Sequence, residues 1–153
     1  MSRFQFGLQK VLDLREQQER EQARALADAE RRMETARKRL EEVREIRDAE
    51  AQKLMRAHGE SRRVGHLHNL NRAIEQLSER VTGAEAACRE ASRKVESTRS
   101  DLLDAMTQRQ VMDTLREKKE SAWRLAMKGD EQRRMDELAL SRFQRQDENG
   151  GQQ

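Results

Sequence analysis

Proline is missing from all 153 residues, and its absence sets the first bound on the fold. Proline ends helices, and disordered chains of this polarity are usually rich in it. A chain without it is free to run in long uninterrupted helices. Aromatic residues are scarce too, with three Phe, one Trp and no Tyr making up 3% of the chain. Hydrophobic residues of every kind reach only 34% against 40% charged, too few for an ordinary globular core. A single cysteine, Cys88, excludes an internal disulfide framework. No apolar run approaches the ~20 residues of a membrane span. Met1 to Lys10 lacks the apolar core of a signal peptide. The chain is therefore expected to be made and kept in the cytoplasm.

What is present is helix-forming. Ala, Leu, Glu, Arg, Lys, Gln and Met dominate, and these are the residues that lose least on entering a helix. The formal charge is +3, from 32 basic and 29 acidic residues with opposite signs interspersed, as on solvated helix faces. A nucleic-acid binder would concentrate its basic residues in a stripe, so nucleic acid is not an expected partner.

The composition changes at only three places. Residues 1–7 form a lead-in ending at Gly7. His58 to His66, with Gly59 and Gly65, is the one turn in the middle of the chain. Asp147 onward, DENGGQQ, reads as a disordered tail. Between these lie a helix over about 8–57 and another over about 67–146.

Periodicity says how the two helices meet. In the second, Leu67, Ile74, Val81, Cys88, Val95 and Leu102 recur every seven residues. Leu70, Leu77, Ala84, Ala91, Thr98, Ala105 and Met112 recur at the same interval, offset by three. These are the a and d positions of a heptad repeat. The first helix has a weaker a series of Leu12, Glu19, Leu26, Met33, Leu40, Arg47 and Leu54. Its d series is Leu8, Arg15, Gln22, Ala29, Ala36, Val43, Glu50 and Ala57.

Folding the chain about residue 62 sets Leu54 against Leu70, Val43 against Val81, Leu40 against Ala84, Met33 against Ala91, Ala29 against Val95 and Leu12 against Met112. In three of these six layers a large residue meets an alanine. Arg15 would face Arg109, a repulsive layer, so the pairing is expected to splay or slip between about residues 15 and 22. The fold class expected is all-α: a long antiparallel two-helix coiled-coil hairpin, monomeric, with an overhanging C-terminal helix unpartnered from about residue 117. A dimeric coiled coil is the competitor, because heptads do not say whose helix is the partner. The short glycine-containing turn favours the hairpin.

No constellation for catalysis appears. There is no glycine-rich phosphate loop, no nucleophile beside a base, and no cleft in a two-helix fold. The expectation is a protein that is not an enzyme and uses no cofactor. His58, His66 and His68 gather at the turn, but no cysteine or carboxylate pair completes a metal shell. Arg56, Arg62 and Arg63 make the same turn basic, able to dock an acidic surface. Cys88 lies on the seam as a small hydrophobe. The stretch from Arg116 to Arg145 differs, holding Trp123, Leu125, Met127, Met135, Leu138 and Phe143 beyond the seam. Aromatic, Met and Arg side chains are the usual anchors of interfaces. Either a partner covers them, or Phe4 and Phe6 pack around Trp123, or both.

Two terminal signatures are similar to a known family. The first is Phe4-x-Phe6-x-Leu8, followed by Val11, Leu12, Leu14 and Arg15. The second is Arg116-Glu117-Lys118-Lys119, Trp123, Glu131, Met135-Asp136-Glu137-x-Ala139 and Arg142-Phe143. Together they resemble the flagellar export protein FliJ family, stalk-like components of the type III export ATPase complex. The resemblance implies a non-enzymatic coupling and chaperone-handling role. It implies association with the hexameric export ATPase FliI, the export-gate component FlhA and export chaperones, at the inner face of the cell membrane. The ATPase-facing residues expected are Phe4, Phe6, Leu8, Arg15, Arg116, Lys118, Lys119, Trp123, Asp136, Glu137, Arg142 and Phe143. The family often carries aromatics near the turn, which this chain lacks, so no gate-contacting residue is carried over. The alternatives are the stalk protein of a virulence-type secretion system and a coiled-coil nucleic-acid-binding arm.

Overall fold

The absence of proline is realised as two helices of unusual length. The computed structural model describes residues 3–60 and 63–150. Helix α1 spans Gln9–Gly59, 51 residues, and helix α2 spans Val64–Gly150, 87 residues. No strand occurs among the described residues, and the two helices pack against each other, an all-α hairpin. Among the described residues, no helix is long and apolar enough to cross a membrane.

Three boundaries differ from the sequence expectation. α1 runs on to Gly59 and α2 begins at Val64, so both ends of the turn expected over 58–66 are helical, and residues 61–62 lie outside the described residues. Glycine inside a helix costs only ~1 kcal/mol relative to Ala, too little to stop a helix that pairs along its length. Gly59 and Gly65 are both helical for that reason. At the C-terminus, helix runs through Gly150, into the stretch expected to be tail. Asp147 and Asn149 weaken a helix without stopping it. Residues 151–153, the rest of that tail, lie outside the described residues.

The chain divides into two compact units, residues 17–106 and residues 1–16 with 107–153. In the first, hereafter the body, the heptad reading holds position by position. Every expected a and d residue from Glu19 to Ala57 and from Leu67 to Ala105 is buried or half-buried. Ala29, Ala57, Val81, Val95, Thr98 and Ala105 are the buried ones. Small residues dominate this list because close approach of two backbones leaves a seam rather than a thick core. Cys88 is half-buried on it.

Two ion pairs fix the direction and register of the body. Arg44 Nη2 lies 2.9 Å from Glu85 Oε1, and Arg99 Nη2 lies 3.4 Å from Glu30 Oε1. Each of the four residues directly follows a d position, so both are e-to-e pairs across an antiparallel seam. The steps from Arg44 to Glu30 and from Glu85 to Arg99 are both 14 residues, or two heptads, in opposite directions. No slip occurs between them. Polar seam residues turn their heads outward: Arg47 reaches Asp48 at 3.0 Å and Glu50 reaches Lys53 at 2.8 Å.

Candidate functional site

All twelve residues singled out as partner-facing lie in the second unit, residues 1–16 with 107–153. The local structure begins with the lead-in. Residues 3–6 are non-helical, and a turn at Gly7 and Leu8 admits the chain to α1. The Gln9 amide donates to the Phe6 carbonyl at 3.0 Å, and the amides of Val11 and Leu12 both donate to the Leu8 carbonyl at 3.0 Å. These bonds satisfy the first backbone groups of a helix that has no side-chain cap and no acidic first turn.

Ahead of that turn, Phe4 packs on Trp123, their ring centroids 5.9 Å apart and the planes tilted by 51°. Such tilted pairs are worth ~0.5–1.5 kcal/mol beyond the area they bury. Phe6 is half-buried in the same unit. The surface around Trp123 is therefore partly covered from within, and α2 is not bare from residue 117. Glu120, Trp123 and Met127 are all half-buried, and full exposure begins beyond Gly129: every residue from Asp130 to Leu140 is exposed. The cover is not a helix, which is why heptad pairing did not reveal it.

Arg15 and Arg109 do not oppose one another as bare charges. Arg15 Nη1 donates to Gln108 Oε1 at 2.6 Å, and Arg109 Nη1 donates to Asp113 Oδ2 at 2.5 Å. Each guanidinium takes its own acceptor and both side chains stay half-buried. In the same unit Leu12 is the one large side chain of the described residues that is fully buried. On the body's side of the division, Glu19 and Gln22 also remain half-buried.

The other expected residues spread along α2. Arg116, Lys118 and Lys119 are exposed; Asp136, Glu137, Arg142 and Phe143 are exposed further on. Phe143 follows Trp123 by 20 residues, or ~30 Å of helix, so these residues are strung along and around a long stretch of α2 rather than gathered in one cluster. Apolar side chains line it: Leu125 is 71% exposed, Met135 67%, Leu140 65% and Phe143 70%. Met135 borders a shallow groove with Lys128, Glu131, Gln132 and Arg134. A second groove lies between Val111, Leu115, Thr114 and Lys118.

Sequence reasoning missed part of this surface. Val11, Leu14 and Val111 are exposed although apolar, and none sits at an a or d position. Apolar residues off the seam were the available signal, because the hairpin gives them nothing to bury against. Leu8, by contrast, was placed on the seam as a d residue and is 44% exposed, since it precedes the helix.

The arrangement offers exposed surfaces along α2. Among the described residues, no group of three or more His, Cys, Asp or Glu is placed to hold a metal. The family described as flagellar FliJ protein matches residues 4–148, nearly the whole chain. No curated protein and no solved structure gives a match.

Proposed function

The chain belongs to the flagellar FliJ family and is thus a flagellar export-related protein. From that premise we propose that it is a non-enzymatic stalk and coupling component of the type III export apparatus. Its second unit faces the export ATPase ring, its body faces the export gate, and it helps to handle export chaperones. It works in the cytoplasm, at the inner face of the cell membrane, and supports motility and chemotaxis through flagellum assembly.

The observation that supports this reading is the long exposed face of α2. Leu125, Met135, Leu140 and Phe143 are too apolar and too exposed to be explained by the fold. Arg116, Lys118 and Lys119 stand exposed on the same helix and suit an acidic ring surface. Trp123 acts differently from its neighbours. Packed on Phe4, it holds the lead-in against α2 and so shapes the surface that the ring meets.

Capture of the export ATPase by the full-length chain tests this. Arg116→Glu with Lys119→Glu changes only exposed side chains, and it should weaken capture about tenfold or more while leaving helical content unchanged. Trp123→Ala should weaken capture as well, through displacement of the lead-in. Unaltered capture and unaltered motility in both variants would dismiss the assignment.

A further inference from the structure

Two glycines, Gly83 and Gly129, lie inside α2, and their surroundings differ. Gly83 sits in the body between Val81, buried, and Ala84, half-buried, so the seam holds the helix on both sides of it. Gly129 has packed helix on one side only. Before it, Trp123 and Met127 are half-buried, and Phe4 rests on the Trp123 ring. After it, residues 130–140 and 142–145 are exposed. Beyond Gly129 the direction of the helix therefore rests on bonds within the helix itself.

The residues around Gly129 spell a helix end followed by a helix start. Helices commonly stop at a glycine with basic residues in the turn before it, where cations complement the dipole. They commonly start at Asp, with an acidic residue in the turn after it. Arg124 and Lys128 precede Gly129, and Asp130 and Glu131 follow it. Neither α1 nor α2 has an acidic residue in its first turn, and α2 has no basic residue in its last. The signals missing from the ends of α2 thus meet in its interior. Space does not require glycine there, since a Cβ at Gly129 would meet no atom within 4 Å. What glycine supplies at this position is backbone freedom, including the left-handed conformation in which helices end.

In the continuous helix these groups are held in other bonds. Asp130 pairs with Arg133 at 2.9 Å, and Arg133 Nε donates to the Gly129 carbonyl at 3.4 Å. Both are exposed contacts within one turn, of the kind worth only a few tenths of a kcal/mol. With the helix broken at Gly129, the Asp130 carboxylate is free to accept the amides of Gln132 or Arg133 as a cap.

We propose that α2 is hinged at Gly129. A stem ends at Lys128 and is held by Phe4 on Trp123. An arm begins at Asp130, carries Met135, Leu140 and Phe143, and swings as a separately capped helix. The arm can then turn its exposed apolar side chains toward a surface without disturbing the Phe4–Trp123 contact. The hinge is a property of the free chain and does not depend on what the arm meets.

The experiment measures distances between paired spin labels in the full-length chain, with Cys88→Ala as background. Ser121→Cys with Ala139→Cys spans Gly129, and Gln76→Cys with Lys94→Cys spans Gly83. All four positions are exposed, and each pair lies 18 residues apart, five turns or ~27 Å on a straight helix. The pair across Gly83 should give one narrow distribution. The pair across Gly129 should give a broad one reaching well below ~27 Å, and Gly129→Ala should narrow it. A melted arm would also broaden the distribution, and hydrogen exchange separates the two. Asp is poor inside a helix but among the best caps, so Asp130→Ala has opposite effects on a continuous and a hinged helix. In the hinged helix it should lower the protection of amides in residues 134–143 about fivefold. Asp130→Asn keeps the cap while losing the ion pair, and should preserve that protection. A distribution across Gly129 as narrow as the one across Gly83 would overturn the hinge. So would one that stays broad with Gly129→Ala, or protection in Asp130→Ala no lower than in Asp130→Asn.

Discussion

Leu12 and Thr98 show how differently two buried residues can matter in a seam this thin. Leu12 is fully buried. Leu12→Ala should cost ~2–5 kcal/mol, the range for truncating a buried Leu. Chemical denaturation of the variant measures this; a loss under ~1 kcal/mol would mean that the unit collapses around the gap. Thr98 is a buried d residue whose hydroxyl donates to the Lys94 carbonyl, a group already bonded within the helix. Thr98→Val keeps the shape and removes a buried hydroxyl. It should be neutral or stabilising by up to ~1 kcal/mol, and a clear loss would show that the hydroxyl supports the helix there. Both positions were legible in the sequence as seam residues. The Arg15–Arg109 layer was legible only as a conflict. Its resolution through Gln108 and Asp113 depends on rotamers of long side chains, which residue spacing does not encode.

Helices this long are made of residues that are individually weak stabilisers, so interruptions within them can be improved. Gly83 and Gly129 lie inside α2, and a Cβ added at either would meet no atom within 4 Å. Alanine in their place removes backbone freedom from the unfolded chain and should stabilise by ~0.5–1 kcal/mol at each site. Thermal melting of Gly83→Ala, which lies in the body, provides the simpler test; a lowered midpoint would reveal a contact that the free chain does not show. The ion pairs that register the body behave differently. Arg44–Glu85 and Glu30–Arg99 involve side chains 37–54% exposed, so each should be worth no more than ~1 kcal/mol in a double-mutant cycle. Their effect is on which arrangement forms, more than on how stable it is. The elements themselves could be read from the sequence because heptads are periodic and helix breakers are absent. The ends could not be placed as well. The helical ends at Gly59 and Gly65 depend on how much helix a single glycine tolerates, and the extension to Gly150 on how far weak helix formers such as Asp147 and Asn149 are carried along. The cover on Trp123 comes from Phe4, in a non-helical lead-in with no period at all.

At the scale of the molecule, the residues that fold the chain and the residues offered to partners are largely separate sets. Alanines, valines and Thr98 close the seam of the body, whereas Leu125, Leu140 and Phe143 project from α2 with no described neighbour to bury them. That separation has a measurable consequence. Large apolar residues replaced in a core cost several kcal/mol each, whereas exposed ones usually change stability by no more than ~0.5 kcal/mol. Leu125→Ser, Leu140→Ser and Phe143→Ser combined should therefore leave the melting midpoint of the body nearly unchanged, apart from a small loss of helix propensity. The same variant should lose capture of the export ATPase, because apolar anchors carry most of the free energy at such interfaces. Sedimentation equilibrium adds a third reading. The parent chain should sediment as a monomer of 18.0 kDa, since the seam is satisfied within the chain. If the parent instead dimerises and the triple variant does not, the exposed face of α2 is covered by a second copy. Retained ATPase capture in a monomeric, normally melting triple variant would separate this face from the ATPase altogether, and the charged residues near Trp123 would then have to carry the interaction alone.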